Sequence, residues 1–249
     1  FFVPLLELAD MDYELELIGR NTVADGTMEF IWSTAGTDFA FRAGQYSDFT
    51  LLNPPETDAE GNTRPFSLAG SPNDMGKIRF VTRMRDTAFK RVLKTMPLGT
   101  KVKVTKPMGS FVLPKHTERP LLFIAGGIGV TPMHSMILYA SEEKLPYKIY
   151  LFCSNRTAGS TTFLAEFEKL AETMPNFKFI PTITDSGEPD WKYERGRINE
   201  EMLTRHVADL DKVTTYVAGP PAMVTDFLPI LGRAGVDEDF IKAEEFAGY

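Results

Sequence analysis

The stretch that decides the fold is LLFIAGGIGVTPMHSM, residues 121–136. Its apolar start is typical of a buried strand, its glycines at 126, 127 and 129 of a tight turn, and its end of an amphipathic helix. At the carboxyl end of a parallel strand, such a turn lets bare backbone approach a pyrophosphate beside a helix N-terminus. We expect Pro132 at the first helical position, where its missing N–H loses no hydrogen bond. The stretch predicts a dinucleotide site, and a plain strand–turn–helix junction is the alternative.

The rest of residues 118–249 alternates strand and helix patterns. Four further strand patterns, YKIYLFCS, FKFIPTIT, TTYVAG and FIKAEEF, are separated by helical ones. Right-handed crossovers between them predict an α/β domain with a doubly wound parallel sheet of five strands in the order 3-2-1-4-5. Pro229 lies inside the helix pattern after the fourth strand and predicts a kink or an early break there.

A second proline-started loop, YVAGPPAMV at residues 216–224, ends the fourth strand. In the expected strand order the first and fourth strands flank the switch point of the sheet, so both loops should face one crevice. Gly219, Pro220 and Met223 are the candidate coenzyme-binding residues of this second loop.

The end of the second strand predicts the coenzyme. It carries Ser154 and Arg156, and no acid that would bind the ribose hydroxyls of NAD. A hydroxyl and a guanidinium suit a 2′-phosphate, which favours NADP over NAD. A solvated arginine at a loop tip is the alternative.

The first half of the chain, residues 1–117, has a different pattern. Six short segments alternate apolar and polar residues with period two, which predicts a closed or nearly closed antiparallel β-barrel. One helix interrupts them, with Phe89, Val92 and Leu93 on a shared face, and we expect it to plug one end of the barrel with Asp86 as its cap. The change of pattern predicts two domains, residues 1–117 and 118–249.

Composition excludes several classes of function. The formal charge of −7, without a dense basic cluster, argues against a nucleic-acid partner. The single cysteine, Cys153, excludes an intrachain disulfide and a cysteine-ligated iron–sulfur cluster within these residues. His116, His134 and His206 lie far apart and are interpreted as surface or helix histidines, without a metal site. No apolar run is long enough to span a membrane, and a cytoplasmic location is expected.

The motif RPFS, Arg64 to Ser67, lies in one of the six strand segments of the barrel pattern. With it, nearly the whole chain resembles the ferredoxin–NADP reductase superfamily of flavoproteins. The resemblance implies FAD, with Arg64 at the pyrophosphate, Phe66 packed on the isoalloxazine in place of the usual tyrosine, and Ser67 near flavin N5. It also implies a second pyrophosphate loop at Gly109, Ser110 and Phe111.

The same resemblance places Thr131 near the nicotinamide and puts Ala218 where many members have a cysteine. It implies an aromatic lid over the flavin at the C-terminus, for which Phe246, next to Glu244, is favoured over Tyr249. The candidate catalytic residues are Ser67, Thr131, Glu244 and Phe246. The candidate cofactor-binding residues are Arg64, Pro65, Phe66, Ser67, Val81, Thr82, Gly109, Ser110, Phe111, Gly127, Gly129, Thr131, Pro132, Ser154, Arg156, Gly219, Pro220, Met223, Phe246 and Tyr249.

The resemblance implies an oxidoreductase in which NAD(P)H reduces FAD by hydride transfer. The flavin would then pass electrons singly to a separate acceptor, such as a ferredoxin-like redox protein. One alternative is a reductase of free flavin, ferric chelates or quinones. The other is an electron-transfer subunit without independent activity inside a larger complex.

Overall fold

The computed structural model describes residues 12–116, 118–185 and 187–246. Its first half is a six-stranded antiparallel sheet in the order β4-β3-β6-β1-β2-β5. The strands are β1 Tyr13–Ala24, β2 Thr27–Ser33, β3 Tyr46–Leu51, β4 Thr63–Ser67, β5 Lys77–Arg83 and β6 Lys101–Val104. Apolar residues recur at every second position of these strands, so one face buries a core and the other faces outward.

The two edge strands of this sheet meet, as the period-two pattern predicts for a barrel. Just after β4, Leu68 forms an antiparallel bridge with Phe80 of β5, and the N–H of Ala69 donates to the carbonyl of Arg79 at 2.7 Å. Fully buried side chains such as Trp32 and Phe49 fill the interior. The antiparallel fold of the first half is therefore confirmed.

Helix α1, Ala88–Thr95, packs Phe89, Val92 and Leu93 into the same core. The predicted cap is wrong by one residue. Thr87 has extended backbone and its side chain accepts the N–H of Lys90, so Thr87 is the cap. The Asp86 carboxylate instead pairs with the side chain of Arg91. A capping side chain belongs to the residue directly before the first helical turn, where it can reach the free N–H groups of that turn, and this residue is Thr87.

The second half is a parallel sheet in the order β10-β9-β8-β7-β11-β12. Its strands are β7 Leu121–Gly126, β8 Ile149–Asn155, β9 Phe177–Ile183, β10 Glu194–Arg195, β11 Thr214–Gly219 and β12 Ile241–Glu245. The predicted order 3-2-1-4-5 corresponds to β9-β8-β7-β11-β12 and is confirmed. The sheet has one strand more than predicted, because β10 is only two residues long and too short to show a period.

Helices cover both faces of the parallel sheet. Helices α2, Val130–Glu142, and α3, Leu164–Thr173, pack on one face, whereas α4, Glu200–His206, and α5, Pro221–Arg233, pack on the other. Helix α5 continues through Pro229, so the predicted early break is wrong. Pro229 and Thr225, whose carbonyl loses its helical partner, are both exposed, and water can satisfy that carbonyl.

The two halves are joined by two tyrosine hydroxyls, one from β11 and one from the segment just before β8. Tyr216 donates to the carbonyl of Val112 at 2.7 Å, and Tyr147 donates to that of Pro114. The domain boundary at residue 117 stays a prediction. Within the described residues, no helix is long and apolar enough to cross a membrane.

Candidate functional site

A cavity of about 710 Å³ lies where the barrel meets the first glycine loop and β12. It brings together predicted residues that are up to about 180 positions apart in sequence, from Arg64 to Phe246. Its lining comprises Tyr46, Asp48, Glu60, Arg64, Pro65, Phe66, Ser67, Val81, Thr82, Arg83, Arg85, Thr87, Lys90, Ile128, Thr131, Glu244, Glu245 and Phe246. A cavity of this size between two sheets has the dimensions of a cofactor site.

Two phenylalanines line the cavity from opposite halves of the molecule. The ring of Phe66 stacks on the buried ring of Phe80, with centroids 4.0 Å apart and planes at 4°, so its orientation is fixed by the barrel core. Phe246 follows β12, and its N–H donates to the carbonyl of Gly219 at 2.9 Å. Tyr249, the alternative lid, lies outside the described residues.

Four basic side chains line the same cavity: Arg64 from β4, Arg83 and Arg85 from the end of β5, and Lys90 from α1. Burial, together with the charges of Arg85 and Arg64, lowers the pKa of Lys90 to about 8. Its ammonium donates to the carbonyl of Arg83 at 2.7 Å. Sequence reasoning identified only Arg64; the run RMRDTAFKR after β5 was the available signal for the other three.

The Arg64 guanidinium is held by the loop before β4. It pairs with Asp58 and Glu60, each at 3.0 Å, and donates to the carbonyls of Gly61 and Thr63. The Asp58 carboxylate also accepts the N–H of Ala88 at the start of α1. A carboxylate thus occupies a position where an arginine and a helix N-terminus converge, which is an arrangement that binds anions.

The first glycine loop touches the second, and this contact explains two of its glycines. A Cβ at Gly129 would lie 2.3 Å from the carbonyl oxygen of Ala218, and one at Gly126 would lie 2.3 Å from Sδ of Met223. Gly127 needs glycine for another reason, since its φ is +51°. These contacts place the two loops side by side, and the prediction that both face one crevice stays a prediction.

The position predicted for Pro132 is wrong by two residues. Residues Gly127–Gly129 form a 3₁₀ turn and α2 begins at Val130, so Pro132 is the third helical residue. The argument for proline still applies there, because the first N–H groups of a helix have no intrahelical acceptor. In the second loop, Pro220 precedes α5 and Pro221 is its first residue.

Comparison with known proteins agrees with this geometry. Residues 123–228 match the family described as oxidoreductase NAD-binding domain. The chain is 27% identical over 214 residues to the reductase component of propane 2-monooxygenase from Rhodococcus jostii, covering 84% of this chain and 56% of that protein. It is 29% identical over 263 residues to the reductase component of phenol 2-monooxygenase from a Pseudomonas species, covering 98% and 72%. The solved structure of the Amycolatopsis cytochrome reductase GcoB superposes with a TM-score of 0.80 at 25% identity, over 94% of this chain and 70% of that one.

The chain has the two-domain fold of these reductases, and the family match covers residues 123–228. It spans only 56% of the length of the propane 2-monooxygenase relative and 58% of a phenol hydroxylase relative from Acinetobacter pittii.

Some residues predicted from the resemblance lie outside the cavity lining. Phe111 is buried edge-on against Tyr216, with centroids 5.0 Å apart, and the carbonyl of Ser110 accepts the ammonium of Lys242. Gly109 has a φ of +103°, and a Cβ there would lie 3.1 Å from the ring of Tyr46, which itself lines the cavity. The structure therefore does not bring the GSF loop to the cavity, and its role at a pyrophosphate stays a prediction.

The remaining predicted residues lie around the carboxyl edge of the parallel sheet, beside the cavity rather than in its lining. They are Gly127, Gly129, Pro132, Ser154, Arg156, Gly219, Pro220 and Met223. Ser154 pairs in register with Gly126, which puts the end of β8 next to the first loop. This edge is where open α/β sheets bind their ligands.

Among the acidic residues of the lining, Glu244 has the most strongly shifted pKa. Burial raises the pKa of its carboxyl to about 7. It stands opposite Ala218 in the β11–β12 register, two residues before Phe246. A carboxyl that exchanges a proton near neutral pH at this position can act as a donor or an acceptor.

Proposed function

We propose that this chain is a flavoprotein oxidoreductase in which NAD(P)H reduces a bound FAD and the electrons pass singly to a separate acceptor. The observation that carries the proposal is the cavity itself. It joins the Arg64–Ser67 motif of the barrel with Thr131 of the first glycine loop and with Phe246 after β12. A flavin and a nicotinamide must meet face to face, and only a site between the two halves lets each half hold one of them.

The lining fits FAD in its chemistry. Phe66 and Phe246 offer aromatic surface for an isoalloxazine, and the four basic side chains offer charge for a pyrophosphate. Among the described residues, Nε of Arg83 is buried without a hydrogen-bond partner, a state that an anionic ligand would relieve. When bound, FAD supplies hydride acceptance and one-electron release.

The chain's own residues would bind and orient the reactants. Ser67 lies at the barrel side of the cavity and would hold the edge of the flavin ring. The Thr131 hydroxyl donates to the carbonyl of Ile128 at 2.7 Å, which fixes the turn on which the nicotinamide would rest. Glu244 would hold a proton at its carboxyl below about pH 7. Alignment of this kind is the main contribution of the protein in cofactor chemistry.

We further propose NADPH as the preferred coenzyme. Ser154 lies in β8 and the exposed Arg156 directly follows its last residue, so both stand at the strand end where the 2′-position of the adenosine ribose would lie. Two carboxylates of the loop after β9 accept backbone N–H groups, Asp185 from Gly187 and Glu188 from Ala158. Arg156→Ala should raise KM for NADPH and leave NADH nearly unchanged, with Arg205→Ala in α4 as the control. Equal kcat/KM values for both coenzymes in the unaltered protein would contradict this preference.

For the acceptor, the relatives offer the best guide. Proteins named as reductase components of propane 2-monooxygenase and phenol 2-monooxygenase match most of this chain. We propose that it likewise serves as a reductase that delivers electrons to an oxygenase or to a ferredoxin-like protein. Steady-state assays with NADPH should show higher kcat/KM for a ferredoxin than for ferricyanide, free flavin or a quinone. The reverse order would mean a small-molecule reductase instead.

A further inference from the structure

One histidine connects the two halves of the molecule. His134 lies in α2, as a helix histidine should, but it is fully buried. Its Nδ1 is 2.8 Å from the carbonyl of Ala69 in the barrel, and its Nε2 is 3.1 Å from the Glu166 carboxylate of α3. Its ring stacks on Phe163 with centroids 3.7 Å apart.

The two ring nitrogens of His134 have different partners. A carbonyl only accepts, so Nδ1 donates to Ala69. Nε2 faces the Glu166 carboxylate, and this hydrogen bond holds the pKa of Glu166 below its ordinary value. Arg79 of β5 pairs with the same carboxylate at 3.6 Å and with the buried Glu29 of β2 at 2.7 Å.

The contacts of His134 are continuous with the proposed active site on both sides. Along α2, His134 and Ser135 follow Thr131 by three and four residues, so the three share one helix face. Along the barrel, Ala69 follows Ser67 by two residues. The Ser135 hydroxyl donates to the next carbonyl, that of Gly70, at 2.6 Å. Two adjacent side chains of α2 therefore hold two consecutive carbonyls just beyond Ser67.

The packing around His134 is maintained against backbone strain. Phe163, the residue on which it stacks, has φ of +62°, in the left-handed region that a bulky residue seldom adopts. The Arg79 guanidinium also lies over the Phe163 ring, 6.0 Å from its centroid. Such strain persists where the surrounding contacts over-determine a conformation, often near a functional site.

We propose that His134 is a positioning residue: by holding the carbonyl of Ala69 it fixes the strand end that carries Ser67 against the helix that carries Thr131. It thereby sets the separation of the flavin and nicotinamide sites. The catalytic part of this inference rests on the proposed function, since Ser67 and Thr131 matter for rate only if both cofactors bind. Hydride transfer is sensitive to such positioning, and a misplacement of about 1 Å can reduce a rate roughly 100-fold.

Two conservative variants separate the bonds of His134. His134→Asn keeps an N–H donor near the Nδ1 position and loses the partner of Glu166, whereas His134→Gln keeps a donor near the Nε2 position and loses the partner of Ala69. In stopped-flow reduction at saturating coenzyme, the Gln variant should be slower by roughly 10- to 100-fold and the Asn variant by less than about threefold, with similar coenzyme Kd values. His206→Asn is the matched control, because it removes the contact of His206 in α4 with the Glu194 carboxylate of β10.

Hydrogen exchange tests the inference without any cofactor. The amide of Ala69, which donates to Arg79, should exchange faster in His134→Gln than in His134→Asn or the unaltered protein. Equal exchange and equal rates in the Asn and Gln variants would overturn the proposal. If His134→Gln does not fold, Ser135→Ala should show the same faster exchange and slower reduction, and its failure to do so would also overturn it. A protein that no coenzyme reduces would refute the proposed function instead, and the exchange result would still decide the role of His134.

Discussion

Replacing Gly129 with alanine should damage both the stability of the protein and its binding of coenzyme. The added Cβ would lie 2.3 Å from the carbonyl oxygen and 2.5 Å from the carbonyl carbon of Ala218, and 2.7 Å from the nitrogen of Gly219. Ordinary contact begins at 3.4 Å, so the two loops must separate by about 1 Å. All three atoms are backbone, so no side chain can turn aside to make room.

The size of the effect follows from overpacking. Inserting one methyl group into a closely packed region costs about 1–3 kcal/mol. For a chain of this length each kcal/mol lowers the melting temperature by about 2–4 °C, so a decrease of roughly 2–12 °C is expected. Because the displaced loop carries Gly219 to Met223, coenzyme affinity should fall by at least about tenfold.

Urea unfolding and coenzyme titration measure these two effects. Gly232→Ala is the control, because Gly232 lies inside α5 with no atom within 4 Å of an added Cβ, and this change should stabilise the helix by about 0.5–1 kcal/mol. If Gly129→Ala keeps both the stability and the coenzyme affinity of the unaltered protein, the contact between the two glycine loops does not hold the site.

Three further changes test the lining of the cavity. Arg64→Ala should lower FAD affinity about tenfold or more in equilibrium dialysis, since a charge-assisted bond contributes about 1.5–3 kcal/mol, whereas Arg91→Ala, which removes exposed ion pairs, should have little effect. Phe246→Ser should change the flavin absorption spectrum and tighten coenzyme binding by removing a competing ring; the assignment is wrong if deletion of residues 247–249 does so and Phe246→Ser does not. Since burial raises the pKa of Glu244 from 4.5 to about 7, the folded protein keeps a proton that the unfolded chain releases, and the free energy of unfolding should fall as pH rises across that window. Urea unfolding should show a smaller fall in Glu244→Gln, and an equal fall in both proteins would mean that Glu244 is not the group responsible.

Local sequence patterns predicted the parts of the site that depend on neighbouring residues. The motif from Arg64 to Ser67 is four consecutive residues of one strand, and all four line the cavity, so no distant contact is needed to bring them together. The two glycine loops follow strands whose apolar runs were long enough to reveal a parallel sheet, and strand order then placed them together.

The remaining features depend on tertiary contacts that no local pattern contains. Lys90 reaches the cavity because α1 packs across the barrel and brings its first turn beside the end of β5. His134 looked like an isolated helix histidine, because both of its partners, Ala69 and Glu166, lie more than 30 residues away. The reason for Gly129 was also hidden, since the atom it must avoid belongs to Ala218.

The central claim, that the cavity between the two halves holds FAD and receives a hydride from NAD(P)H, is tested most directly by anaerobic absorbance spectroscopy of the purified protein. The protein, as isolated or after incubation with FAD, should show a bound flavin spectrum that bleaches on addition of NADPH or NADH. Cofactor released by heat should be FAD by mass spectrometry, since the basic residues of the lining suit a pyrophosphate. Release of FMN alone, or a bound flavin that neither coenzyme bleaches, would contradict the account.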